Sequence, residues 1–220
     1  MTLIIAADVQ DHLIIAGDHC AVFSRVSNEG RPDAVLRNYQ KVNPWKYGAI
    51  AASGDVVLMM NFWRSFMLQE GLGGPINLAQ VAWEAKAART RAGIPPSQST
   101  GNVFFTLPGR DGFELHGLFF GESTVEFEII APIETRFSMQ AHRVPVEARC
   151  HAFNSHLRPS FFFDDIDAFH RHHLDLFGGF FAAQSSVDDL VTSSYDIFML
   201  DKRSGGGLFW TTPNAVATLM

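Results

Sequence analysis

Two apolar runs near the start of the chain, Leu3 to Ala7 and Leu13 to Gly17, constrain the fold more than any other stretch. Neither alternates between apolar and polar residues, as a strand with one wet face would. Both read as strands covered on both faces and joined through the polar Val9-Gln10-Asp11-His12 into a hairpin inside a sheet. Such a hairpin needs packed material above and below it, which calls for a layered fold. At 220 residues the chain can bury roughly 70% of its unfolded surface and fits one domain spanning residues 1–220.

The later stretches supply the layers. Residues 21–40 are polar and irregular and read as a surface excursion, after which a short strand from Lys41, a turn at Pro44 and a strand of small residues over Gly48 to Ala52 follow. Val56, Met60, Trp63 and Met67 fall at i, i+4, i+7 and i+11, predicting a helix that turns this stripe inward, with Ser53 or Asp55 as its N-cap. A second helix is predicted with Leu78, Val81, Ala82 and Ala85 inward and Glu84, Lys86, Arg89 and Arg91 in water. Gly93 and Pro95-Pro96 stop it. Residues 102–107, 113–120 and 125–130 form a three-stranded meander, 143–157 and 164–184 two helices, the second interrupted at Gly178-Gly179, and 193–201 with 208–212 a closing hairpin. The order predicts an α+β fold of antiparallel sheets between helix layers.

Composition removes several function classes. A net charge of −6 is wrong for binding phosphates, and no apolar run approaches a membrane span, so neither nucleic acid nor a membrane is an expected partner. Cys20 and Cys150 lack metal or redox spacing and read as free thiols of a reduced, cytoplasmic protein. The run HRHHLD, with His170, His172, His173 and Asp175, reads as a solvated helix face rather than a metal site, and Ser204-Gly205-Gly206-Gly207 as a hairpin turn. No metal or organic cofactor is expected.

Thr2 carries the chemistry. Small residues behind an initiator methionine favour its removal, which would leave Thr2 first. A terminal threonine combines a hydroxyl nucleophile with its own α-amine, of unperturbed pKa about 7.7–8.0, as the base. The pattern Met1-Thr2-x-Ile4-Ile5-Ala6-Ala7, then Leu13-Ile14-Ile15-Ala16-Gly17-Asp18, Lys41-Val42 and Ala51-Ala52-Ser53-Gly54 resembles proteasome β subunits and the bacterial HslV peptidase. Among bacterial members it looks most like the proteasome homologue group distinct from HslV and from actinobacterial proteasomes. These are N-terminal-nucleophile (Ntn) hydrolases, threonine peptidases with a four-layer αββα sandwich, and the element order agrees.

The resemblance implies Thr2 as nucleophile, Lys41 as the cation beside it, Asp18 as the carboxylate orienting Lys41, and the Gly54 N–H as oxyanion donor. It implies Ala52 and Ser53 in the substrate pocket, where Ala52 leaves room for a large apolar side chain, and Asp189 and Ser194 as the late aspartate and serine. The segment between Asp18 and Lys41 is longer than in typical β subunits, which makes Arg37 the second candidate cation. The helix-opening loop that supplies a serine is not evident, and Ser138 is a poor substitute. The expected function is hydrolysis of peptide or unfolded protein inside a homo-oligomeric ring, stacked as a double ring with a tetradecamer favoured; whether an ATPase serves it is open. The alternatives are a non-proteolytic scaffold subunit of the same fold and an Ntn amidase acting on a small amide.

Overall fold

The computed structural model describes residues 3–23, 34–73, 76–139 and 146–212. Met1 and Thr2 lie outside the described residues. The strands are β1 (Ile4–Asp8), β2 (His12–Asp18), β3 (Ala21–Phe23), β4 (Ala34–Leu36), β5 (Val42–Trp45), β6 (Gly48–Gly54), β7 (Gly101–Pro108), β8 (Phe113–Phe120), β9 (Val125–Ile130), β10 (Thr135–Ser138), β11 (Tyr195–Asp201) and β12 (Gly207–Thr212). The helices are α1 (Val56–Gly71), α2 (Leu78–Arg91), α3 (Glu147–His156) and α4 (Ile166–Ser185).

One antiparallel sheet runs β10-β1-β2-β11-β12 and a second β5-β6-β7-β8-β9, while β3 and β4 form a separate hairpin. Every residue of β1 and β2 is buried, as their unbroken apolar pattern requires. Their alternate side chains serve two layers. Leu3, Ile5, Ala7, Ile14 and Ala16 pack with Phe169, Phe177 and Phe181 of α4. Ile4, Ala6, Leu13 and Ile15 meet Val42, Ala51 and Phe104 of the second sheet. A third apolar layer joins that sheet to Phe62 and Phe66 of α1 and Val81 and Ala85 of α2. This is a four-layer αββα sandwich.

Several local expectations change. The buried residues of α1 are Leu58, Met59, Phe62 and Phe66, whereas Met60 and Met67 are 63% and 57% exposed. Both faces of α1 are apolar, so periodicity alone could not choose the inner one, and the sheet selected the aromatic face. Asp55 is the N-cap, accepting from Leu58 N at 2.9 Å. Pro44 lies within β5, an edge strand that can spare a ladder donor, and the turn falls at Lys46-Tyr47 instead. Helix α4 runs unbroken through Gly178-Gly179. Tyr195 faces Gly178, with its hydroxyl 3.2 Å from where a Cβ would sit, so the small residue admits the strand. Lys86, expected in water, is buried and donates to the carbonyl of Gly121.

Candidate active site

Asp18 ends β2, and its carboxylate gathers four donors within 3.1 Å, with the Thr192 hydroxyl a fifth at 3.5 Å. Oδ1 accepts from Leu3 N at 2.8 Å and from Lys41 Nζ, and Oδ2 from Cys20 N at 2.9 Å and Thr192 N at 3.1 Å. Asp18 is fully buried and Lys41 2% exposed. A buried ion costs several kcal/mol unless paired and hydrogen-bonded, and both conditions are met here. Burial pulls the Lys41 ammonium below its ordinary range, while the charge and hydrogen bond of Asp18 oppose the shift. Lys41 therefore stands where Arg37 was the other candidate. Arg37 instead donates to the backbone oxygen of Asp189 at 3.0 Å.

The same carboxylate fixes the start of the described chain. Leu3 N, the amide joining Leu3 to Thr2, is held on Asp18, and Leu3 O accepts from Asp18 N at 3.0 Å. The lysine and this end of the chain thus share one anchor.

Beside them lies a cavity of about 240 Å³ lined by Lys41, Ala52, Ser53 and Gly54. Because residues alternate across a strand, Ala52 faces the helices with Met59 and Trp63, and Ser53 faces the opposite sheet. Phe120 completes the apolar wall and Asn102 and Ser138 the polar one. Gly54 has φ +123°, and a Cβ there would strike the backbone of Thr100 and Gly101, so only glycine suits the step from β6 to the α1 cap.

The remaining candidates are distributed unevenly. Ser138, rated a poor substitute, reaches the cavity from β10 and shares a 2.6 Å hydrogen bond with Ser53. The Asp189 side chain is exposed and outside the cluster. Ser194 is buried; among the described residues its hydroxyl has no partner, and its backbone oxygen accepts from His19 N at 3.2 Å and Thr192 Oγ1 at 2.9 Å. Thr192 is the late residue that touches Asp18, through its backbone amide at 3.1 Å and, more weakly, through its hydroxyl at 3.5 Å. Asn102 was also missed; its place follows only from its register opposite Ser53. The histidine run is not uniformly solvated. His173 is fully buried, with burial pushing its pKa down to about 4. Among the described residues no group of three or more His, Cys, Asp or Glu side chains could hold a metal ion.

No family model and no curated protein matches this chain. Solved structures do resemble it. A Gly-1 mutant of Anbu from Hyphomicrobium sp. strain MC1 is 14% identical with a TM-score of 0.66, covering 98% of this chain and 88% of that one. Anbu from Yersinia bercovieri, described as an ancestral beta-subunit, is 10% identical with a TM-score of 0.65, covering 99% and 90%. The assignment to proteasome β subunits and HslV drawn from the sequence motifs is thereby corrected. Sequence comparison finds no such relative, and the likeness is one of fold, to Anbu structures at 10–14% identity. The motifs that suggested it are short and consist largely of residues any doubly covered strand requires. What stands is a proteasome-like β-subunit fold of the Ntn type.

Proposed function

We propose that the chain is an N-terminal threonine hydrolase cleaving peptide bonds, with Thr2 as nucleophile once Met1 is removed. The supporting observation is the buried Asp18–Lys41 pair, which borders the cavity and anchors the amide that follows Thr2. In this reading the Thr2 α-amine takes the hydroxyl proton as the oxygen attacks the substrate carbonyl. The Lys41 charge favours loss of that proton, and Asp18 keeps the lysine charged and aimed. The Gly54 N–H donates to the oxyanion, ahead of a 16-residue helix whose dipole favours negative charge. The protonated α-amine passes that proton to the departing nitrogen of the substrate, and, neutral again, takes a proton from the water that hydrolyses the Thr2 ester. The Ser138 hydroxyl lines the same cavity. Ala52, Met59, Trp63 and Phe120 receive an apolar side chain.

The proposal extends to self-association into a closed, stacked ring that encloses the site. Phe161 and Phe162, each 64% exposed, and Ile166, 46% exposed, form an apolar patch at the start of α4 that a second copy could cover. An unfolded protein substrate delivered by an ATPase completes the reading. The two free cysteines suit the cytoplasm, and among the described residues no helix is long and apolar enough to cross a membrane.

The test is intact mass before and after treatment with a peptide epoxyketone, which bonds both the hydroxyl and the free amine of a terminal threonine. Loss of Met1 and one adduct on Thr2 are expected. A protein that keeps Met1 and forms no adduct is not this hydrolase, and the scaffold alternative takes its place. Native mass checks the ring, and a monomer that still reacts would point to the small-amide hydrolase.

A further inference from the structure

Helix α1 carries two apolar stripes, and the sheet uses only one. Leu58, Met59, Phe62 and Phe66 are buried against it, while Val56, Met60, Trp63 and Met67, at i, i+4, i+7 and i+11, form a second stripe on the open side. A surface helix ordinarily turns charge to water, yet Arg64 is the only charged residue from Val56 to Gln69. The second stripe begins in the cavity. Val56, Met60 and Trp63 line it, and the exposed Met67 continues the row outward. Trp63 stands edge-on to the rings of Phe62 and Phe66, at centroid distances of 6.2 and 5.5 Å, which fixes it in the row.

An exposed apolar row of this kind marks a binding surface, and its continuity with the cavity identifies the occupant. A side chain lodged in the cavity brings the neighbouring residues of its own chain onto Met60 and Trp63. From Val56 to Met67 the helix axis rises roughly 16 Å, the reach of about five residues of extended polypeptide. Methionine suits such a contact, because its flexible thioether adapts to side chains of different shape. A second copy fits less well. The patch of Phe161, Phe162 and Ile166 belongs to the helix layer of the other sheet, and self-contacts on both outer layers would string copies into an open stack rather than close one.

We propose that the row of Val56, Met60, Trp63 and Met67 is an extended track for an apolar stretch of unfolded polypeptide, with one side chain in the cavity and the residues next to it along α1. This rests on the hydrolase reading above and specifies its substrate, a chain with several apolar residues beside the cleaved bond rather than one preferred side chain. A short peptide fills the cavity without reaching Met67, so the track shows itself as a gain in affinity with peptide length.

The test is fluorescence anisotropy of two dansylated peptide amides, trileucine and a nonapeptide that flanks the same three leucines with alternating serine and leucine. The full-length chain carries Thr2→Ala throughout, so that neither peptide is turned over. The nonapeptide is expected to bind at least about tenfold tighter, the gain from burying one or two further apolar side chains. Met67→Glu, at an exposed position, should bring the nonapeptide down to the affinity of trileucine and leave trileucine unchanged, while Met67→Leu should keep the difference. Leu72 is still more open to water, 85% exposed, but lies five residues on and about 140° round the helix from Met67. Leu72→Glu should therefore change neither peptide. The proposal is overturned if the two peptides bind alike, if neither binds, or if Leu72→Glu weakens the nonapeptide as much as Met67→Glu does. It is also overturned if Met67→Glu lowers the native mass of the assembly without changing nonapeptide affinity, since a second copy then covers the row. The hydrolase reading fails by a different result, the absence of an epoxyketone adduct on the chain with Thr2 in place.

Discussion

Two lysines are buried in this molecule, and they teach opposite lessons. Lys41 enters β5 and meets a buried carboxylate at the edge of a cavity, while Lys86 on α2 donates to backbone oxygens of the turn between β8 and β9, Gly121 and Thr124. Both ammonium groups are pulled below their ordinary range, chiefly by burial. Depth and a shifted pKa therefore do not separate a functional lysine from a structural one. The partner does. Carbonyl dipoles hold Lys86 as a staple between a helix and a turn, whereas Asp18 ties Lys41 to the start of the chain and leaves its charge facing a space a substrate could occupy.

The comparison breaks most readily at Lys41. Lys41→Met should leave Asp18 buried without its counter-ion and destabilise the fold by about 3–5 kcal/mol in chemical denaturation. It should also reduce epoxyketone labelling of Thr2 by at least about a hundredfold. Asp18→Asn, which strands the lysine instead, checks that the loss belongs to the pair. Retained labelling in both variants would place Lys41 beside Lys86 as a structural group.

His173 sharpens the comparison, being a buried base that among the described residues forms no ion pair. Its Nδ1 hydrogen-bonds Phe169 O at 2.9 Å, and among those residues its Nε2 has no partner. Its pKa falls from 6.5 to about 4 on folding. As pH drops below 6.5 the unfolded chain takes up the proton while the folded one does not, so stability falls between pH 6.5 and 4. The loss approaches about 3 kcal/mol below pH 4. Unfolding curves of the wild type and His173→Phe across that range should differ by this slope, and parallel curves would remove His173 as its source.

Smaller effects complete the series. Lys86→Met leaves two carbonyls without their donor, for an expected loss of about 1–3 kcal/mol, with Thr2 labelling unchanged. Because the folded pKa of Lys86 is lowered, its ammonium is disfavoured in the folded state, and wild-type stability gains as pH rises toward 10.5. The variant should lack that gain. Asp55→Ala removes the α1 cap and the partner of Arg89, whose Nε lies 2.9 Å from the carboxylate. A loss of about 1 kcal/mol is expected, visible as a small drop in Tm. A loss of labelling as large as that of Lys41→Met would show that the step from Gly54 into α1 is as critical as the ion pair.

Much of this was legible in the amino-acid order. Unbroken apolar runs with no wet face can only be central strands, so the β1–β2 hairpin and the need for layers followed from the sequence. Turn-rich breaks at 108–112 and 121–124 gave the meander over β7, β8 and β9. Asp18, Lys41, Ala52, Ser53 and Gly54 are named through the resemblance rather than from local pattern; the structure pairs Lys41 with Asp18 and puts Lys41, Ala52, Ser53 and Gly54 around one cavity. The segment 21–40 could not be resolved from pattern. Its polar residues hide the three-residue strands β3 and β4, too short to show a period.

What only the tertiary structure decided depends on contacts between residues far apart in the chain. Which face of α1 turns inward was settled by the sheet, because Met60 and Met67 satisfy the helical period as well as Leu58, Met59, Phe62 and Phe66 do. Lys86 left the solvated face because two carbonyls 35 and 38 residues away accept its protons. Thr192 joined Asp18 across 174 residues, chiefly through a backbone amide, a group every residue but proline carries, with its hydroxyl at 3.5 Å. Asn102 and Ser138 came to Ser53 through strand register and the stacking of two sheets. Local order dictates which segments must be buried, but the choice among equally apolar faces and the meeting of distant polar atoms are fixed only when the layers close.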